Sequence, residues 1–124
     1  MPSVAITGLG AVTPLGVGAR TLHERWSAGV CGVRDGEAPC AEFAATDSLS
    51  VKEARRADRF TQLAIAACDE ALADAGWDDE APYDPRRVGA ILGTGIGGIS
   101  TLEANHTLLE SKGAASVSSL AVPR

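Results

Sequence analysis

Short apolar runs alternate with longer stretches in which apolar residues recur every three or four positions. Ser3-Val4-Ala5-Ile6-Thr7 and Val88-Gly89-Ala90-Ile91-Leu92 are runs of small and β-forming residues, and each empties into a glycine-rich loop. They predict two core strands, Ser3–Thr7 and Val88–Leu92. Thr21 with Glu24 three residues on has the spacing of a capping box, so a helix is predicted there with Leu22 and Trp26 on one face. Gly29 and Gly32 end it. The strongest helical signal runs from Asp58 to Ala75, where Phe60, Leu63, Ala64, Ala67, Ala71 and Ala75 form one apolar stripe and Gly76 supplies the C-terminal stop. Ser100 and Glu103 make a second capping-box pattern, opening a helix to about Glu110. Residues 31–50 lack periodicity and read as an irregular surface segment. Asp78–Arg87 reads as an acidic, proline-punctuated link, and the residues after the last helix as a small-residue loop ending in an apolar stretch.

Alternation of strand and helix indicates an α/β class. Both strands read as apolar on two faces, the pattern of a parallel sheet covered by helices on either side. Two such strands cannot cover one another. The expectation is therefore that residues 1–124 are an amino-terminal portion of a larger α/β domain, incomplete at the carboxyl end.

Composition narrows the function classes. The 124 residues are 45% hydrophobic but only 4% aromatic, so any core is built from Ala, Val, Ile and Leu. Eleven basic against 16 acidic residues give a net charge of −5, which disfavours a general nucleic-acid binder. No apolar run is long enough for a membrane span and no signal segment opens the chain, so a cytoplasmic, soluble protein is expected. The three cysteines, Cys31, Cys40 and Cys68, show no metal-ligand or disulfide spacing. Cys68 reads as a small core residue, Cys31 and Cys40 as free loop thiols, and none has an activating neighbour in sequence.

Glycine loops carry the remaining chemistry. Gly93-Thr94-Gly95-Ile96-Gly97-Gly98 satisfies the bare Gly-x-Gly-x-x-Gly pattern between a strand and a helix. No acidic residue follows at the end of a second strand, however. The earlier loop, Gly8-Leu9-Gly10, misses its third glycine and runs into Pro14, and no Gly-Lys-Ser/Thr is present. The dinucleotide pattern is thus incomplete.

Four collinear stretches carry a family resemblance. They are Val4–Gly10 with Thr13-Pro14-Leu15-Gly16, Lys52–Phe60, Val88–Gly98, and Glu103-Ala104-Asn105-His106-Thr107. Together they resemble the β-ketoacyl-[acyl carrier protein] synthases of the elongating, type II kind. The resemblance implies part of a thiolase-type fold, the amino-terminal part of an α/β/α/β/α layered architecture that is normally a homodimer. It implies an acyltransferase performing a decarboxylative Claisen condensation, with acyl groups carried on the phosphopantetheine of acyl carrier protein and no further cofactor or metal. It also implies that the nucleophilic Cys and the two catalytic His lie outside these residues, so that the 124-residue chain alone is inactive. His23 and His106 do not match those histidines and read as surface groups. Lys52, Arg55 and Arg56 match a basic cluster that docks the acidic carrier protein, while a second basic pair, expected near Ala115 and Ser116, is absent. Ile96 matches a gate residue of the acyl pocket at the dimer interface, and Ala121 a position in the pocket wall. Membrane and nucleic acid are not among the implied partners, and the resemblance leaves fatty acid and polyketide pathways both open. A non-catalytic chain-length-factor-like subunit and a nucleotide-binding α/β module remain as alternatives.

Overall fold

The computed structural model describes residues 3–77 and 82–119. In chain order the elements are β1 (Val12–Thr13), β2 (Gly16–Val17), α1 (Ala19–Ser27), α2 (Val51–Ala54), α3 (Arg59–Asp74) and α4 (Ile99–Lys112). Single 3-10 turns lie at Ala45–Asp47, Pro85–Arg87 and Ala114–Ser116. β1 and β2 pair antiparallel around Pro14-Leu15, with Val12 opposite Val17 and Thr13 opposite Gly16.

The long helix α3 organises everything before it. Its stripe of alanines leaves room for a second backbone, and the 8–11 segment lies along it. A Cβ on Gly8 would fall 2.8 Å from the Ala75 nitrogen, and one on Gly10 would fall 2.9 Å from the Ala71 nitrogen. Glycine is therefore required at both positions for the chain to approach this closely. Carboxylates on the same helix take up the N–H groups that the segment presents. Asp74 Oδ2 accepts from Leu9 N at 2.9 Å, and Glu70 Oε2 accepts from Ala11 N at 2.8 Å. The second oxygen of Glu70 accepts from Ala19 N, also at 2.8 Å. Glu70 thus places a negative charge on the first N–H of α1, where the helix dipole favours it.

Helix ends follow local chemistry where no tertiary group intervenes. α1 and α3 both stop in Schellman motifs, with Gly29 and Gly76 at φ +74°. The predicted span of α3 matches the structure to within a residue at each end. The Thr21–Glu24 capping box does not form: α1 begins at Ala19 with Gly18 as its N-cap, because Glu70 reaches that end from α3. Gly32 does not stop α1 either, since the helix is over by Ser27; it packs instead against Pro14. Leu22 is half-buried while Trp26 stays exposed. The pattern at Ser100 and Glu103 also fails, for α4 starts two residues earlier, with Gly98 as N-cap and no side-chain cap. The helix runs on to Lys112, past the expected Glu110.

Residues 31–50 are more ordered than their lack of periodicity suggests. Asp35 and Gly36 both take positive φ, turning a tight hairpin closed by the Arg34–Glu37 bridge. Phe43 is buried, its ring beneath the Arg59 guanidinium at 4.7 Å, while Arg59 donates to the carbonyls of Cys40 and Phe43. Arg25 ties the same segment to the β1–β2 turn through Leu15 O and Glu42, both at 2.6 Å.

The two expected strands are not strands. Ser3–Thr7 and Val88–Leu92 join no ladder, and Val4, Ile6 and Ile91 are 95%, 81% and 102% exposed. A parallel strand exists only through its neighbours, and the described residues put none beside either run. Cys68 likewise faces solvent instead of the core. Only Phe43 and Ala66 are buried among the described apolar residues. The accessible surface of the 12.7 kDa chain is 9652 Å². A compact monomer of that mass exposes about 6200 Å². Among the described residues the α/β expectation is thus realised as helices with one two-stranded sheet. Residues 78–81 of the acidic link, and the apolar end with Ala121, lie outside the described residues.

If Glu70 is the clasp, Glu70→Gln removes one acceptor and sets an NH₂ against a backbone N–H. In the full polypeptide that carries these residues, a loss of about 1–3 kcal/mol is expected, read as a lower urea midpoint at unchanged slope.

Candidate functional site

Two features single themselves out, a basic face on α2 and the glycine loop before α4. Both are braced by the first turn of α3. α2 is only one turn long, too short to persist by propensity alone. Its start is fixed by a capping box. Ser50 Oγ accepts from Glu53 N at 3.3 Å, and Glu53 Oε2 accepts from Ser50 N at 3.0 Å and from Ser50 Oγ at 2.5 Å. The Ser50-x-x-Glu53 spacing was the available signal. Its far end is held by Gln62 of α3, which donates to Ala54 O at 2.8 Å and Ala57 O at 3.1 Å.

On this short helix, its C-cap and the residue after it stand Lys52, Arg55 and Arg56, at i, i+3 and i+4 and all exposed. With Val51 they line a shallow groove. Among the described residues none of the three forms an ion pair. Glu53, the nearest acid in sequence, is occupied by its cap: the hydrogen bonds from the Ser50 hydroxyl and then from the Ser50 N–H hold its carboxyl below the usual range. The result is a compact cationic face on a chain of net charge −5.

Among the described residues the loop 93–98 is anchored at one end only. Thr94 Oγ1 accepts from Gly97 N at 2.9 Å, Gly97 faces the Phe60 ring, and Asp58 bonds Thr101 in the first turn of α4. The Asp58 carboxylate also fills the space where Gly98 would carry a Cβ. Gly93 and Gly95 face open space, and Ile96 is 75% exposed. This arrangement speaks against a dinucleotide. A carboxylate already occupies the N-terminus of α4, where pyrophosphate would bring further negative charge. In the first glycine pair, α3 backbone fills the space a ligand would need.

The other candidates stand apart from these two features. His23 is exposed on α1, and His106 Nδ1 lies 3.7 Å from Glu110 Oε2 on the open face of α4. Cys31 borders a cavity of about 310 Å³ lined also by Pro14, Arg25, Arg34 and Glu42. Arg25 and Glu42 satisfy each other there, and the hydrogen bond from Arg25 holds the Glu42 carboxyl below its usual range. Among the described residues no three His, Cys, Asp or Glu converge as metal ligands, and no helix is long and apolar enough to cross a membrane.

Comparison with known proteins gives the family. The family described as Beta-ketoacyl synthase, N-terminal domain, matches residues 41–124. The chain belongs to the β-ketoacyl synthase family. It is 41% identical over 133 aligned positions to 3-oxoacyl-[acyl-carrier-protein] synthase 2 of Staphylococcus aureus (strain COL), covering 97% of this chain and 32% of that protein. It is 34% identical over 143 positions to the protein of the same name from Rhizobium meliloti (strain 1021), covering 99% of this chain and 34% of the relative. The chain therefore spans about a third of the length of the curated relatives it matches. The basic face, the capping box that shapes it, the glycine loop and its Asp58 anchor all fall inside the stretch that matches this synthase family.

The cap has a pH signature. Because Glu53 is held below its ordinary value of 4.5, its contribution to α2 is complete above that value. It is lost as pH falls through the lowered one. Ser50→Ala is expected to return the Glu53 carboxyl toward 4.5, followed by its side-chain NMR titration, and to speed amide exchange in α2 at neutral pH.

Proposed function

We propose that these residues form the amino-terminal part of an elongating 3-oxoacyl-[acyl carrier protein] synthase of fatty acid synthesis. The observation that carries this reading is the identity, across almost the whole chain, to two proteins of that name. On this reading an acyl group passes from carrier protein to a cysteine thiolate. Malonyl-carrier protein then loses CO₂, and the resulting enolate carbon attacks the thioester, expelling the thiolate. The cysteine, the two histidines and the N–H groups that stabilise the oxyanion belong to other parts of the synthase. The present residues alone do no condensation. Their exposed apolar runs Ser3–Thr7 and Val88–Leu92 support assignment as core strands of a complete thiolase-type sheet, in a homodimeric enzyme. The phosphopantetheine arm of the carrier brings the substrate, and no other cofactor is needed.

Two roles fall to this segment. Lys52, Arg55 and Arg56 dock the acidic carrier protein; their clustering, exposure and lack of ion-pair partners among the described residues suit a face that steers an anion. Ile96 gates the acyl pocket; its exposure on a loop anchored at one end suits a side chain that packs against something brought to it.

Both roles are open to kinetics in the complete synthase. Lys52→Glu, Arg55→Glu and Arg56→Glu are each expected to raise KM for acyl-carrier protein about tenfold with kcat nearly unchanged, and to flatten its salt dependence. Retained KM in all three would exclude docking at this face. Ile96→Phe is expected to cut kcat/KM for long acyl thioesters about tenfold or more while sparing short ones. Equal effects on every chain length would exclude the gate.

A further inference from the structure

Asp58 departs from what its position asks of it. It is the N-cap residue of α3, with extended backbone at φ −63° and ψ 157°, and its carbonyl accepts the first helical bond from Gln62 N at 3.0 Å. Aspartate is favoured at N-caps because its carboxylate accepts from an N–H of the same helix. Here it makes no such bond. The carboxylate turns outward instead, to a residue 43 positions later in the chain. One oxygen accepts from the Thr101 hydroxyl, in the first turn of α4. The other lies over the α-carbon of Gly98, where no Cβ fits. One residue back, Gly97 faces the ring of Phe60, which also belongs to the first turn of α3.

These contacts converge on a single root. The loop from Gly93 to Gly98 has one internal tie, Gly97 N to Thr94 Oγ1, among the described residues. Among the described residues nothing approaches Gly93 or Gly95 within 4 Å of where a Cβ would stand. The position of the loop is therefore determined where it enters α4, and there Asp58 is the charged partner. A local rule given up at no visible local gain is the mark of a residue committed elsewhere.

We infer that Asp58 is a positioning residue: its carboxylate holds the root of the 93–98 loop and so determines where Ile96 stands. The consequence for substrate rests on the proposed gating role of Ile96, whereas the latch itself does not. Asp58 touches no reacting group. It acts through Thr101 and Gly98 on the side chain two residues before the N-cap of α4.

Asp58→Ser and Thr101→Val separate the latch from an ordinary cap. Serine caps a helix about as well as aspartate but is too short to reach Thr101, and valine keeps the shape of threonine without its hydroxyl. The complete synthase polypeptide is used, with amide exchange and acyl-chain preference as readouts. Each variant is expected to speed exchange at the Gly97 and Leu102 amides about tenfold or more. Exchange at Gln62 and Leu63, in α3, is expected to stay within about twofold, because Asp58 makes no side-chain cap bond that serine would remove. The double variant is expected to show no more than the larger single effect, since both remove one interaction. Both are also expected to shift the ratio of kcat/KM for long against short acyl thioesters in the same direction. Faster exchange confined to α3, additive effects, or a silent Thr101→Val would overturn the inference. If Ile96→Phe leaves chain-length preference unchanged, the gate fails, and the exchange data still decide the latch.

Discussion

A bare backbone lying along a helix of alanines is the contact on which the first half of this chain depends. Residues 8–11 approach α3 so closely that neither Gly8 nor Gly10 can carry a side chain. Such proximity leaves N–H groups facing a helix whose own hydrogen bonds are closed. Two carboxylates one turn apart, Glu70 and Asp74, accept them. Glu70 goes further and takes the first N–H of α1, so one side chain fixes the entering segment, the β1–β2 hairpin and the helix that follows. Removing the glycines would separate the backbones, and removing the carboxylates would leave donors without partners. Packing and polar satisfaction are the same device here.

That device explains what the sequence made legible. The alanine stripe of α3 and its Gly76 stop are local facts, encoded within about 19 residues, and the structure follows them closely. The capping boxes are not local in the same sense. Thr21/Glu24 and Ser100/Glu103 have the spacing but not the helix end, because Glu70 and Asp58 arrive from α3 and define those ends in space. Ser50/Glu53 has both, and forms. Phe43 was hidden for a related reason: it stands in aperiodic sequence, and the Arg59 side chain, 16 residues away, covers its ring. Cys68 was misplaced because an apolar helix stretch does not state which side is covered.

The strands are a different failure. Ser3–Thr7 and Val88–Leu92 carry the composition of doubly buried strands, yet Val4, Ile6 and Ile91 stand in solvent. Composition reports the burial a segment is suited to, whereas a ladder reports the neighbours actually present. On the proposed reading the mismatch is expected, since the chain spans about a third of its curated relatives. The candidate sites divide along the same line. Lys52, Arg55 and Arg56 stand out through the family resemblance, and their i, i+3, i+4 spacing puts them on one exposed face. The Asp58 contact was not, since nothing in residues 52–60 announces a bond to Thr101.

Glycine-rich loops after apolar runs invite a phosphate, and this chain shows why the pattern alone is insufficient. A phosphate cradle needs free N–H groups and unopposed positive potential at a helix N-terminus. At Gly8 and Gly10 the space is filled by α3. At Gly98 it is filled by a carboxylate, which takes the place at the α4 terminus that an anionic ligand would require. In both places glycine serves the approach of protein to protein. The electrostatics then reverse the usual inference: a helix N-terminus already neutralised from within is free to act as a fixed root. The loop before it, open around Gly93 and Gly95, is left to present Ile96 to whatever packs there. The same first turn of α3 braces the basic face through Gln62 and the loop through Asp58, so a displacement at either one bears directly on the helix that holds the other.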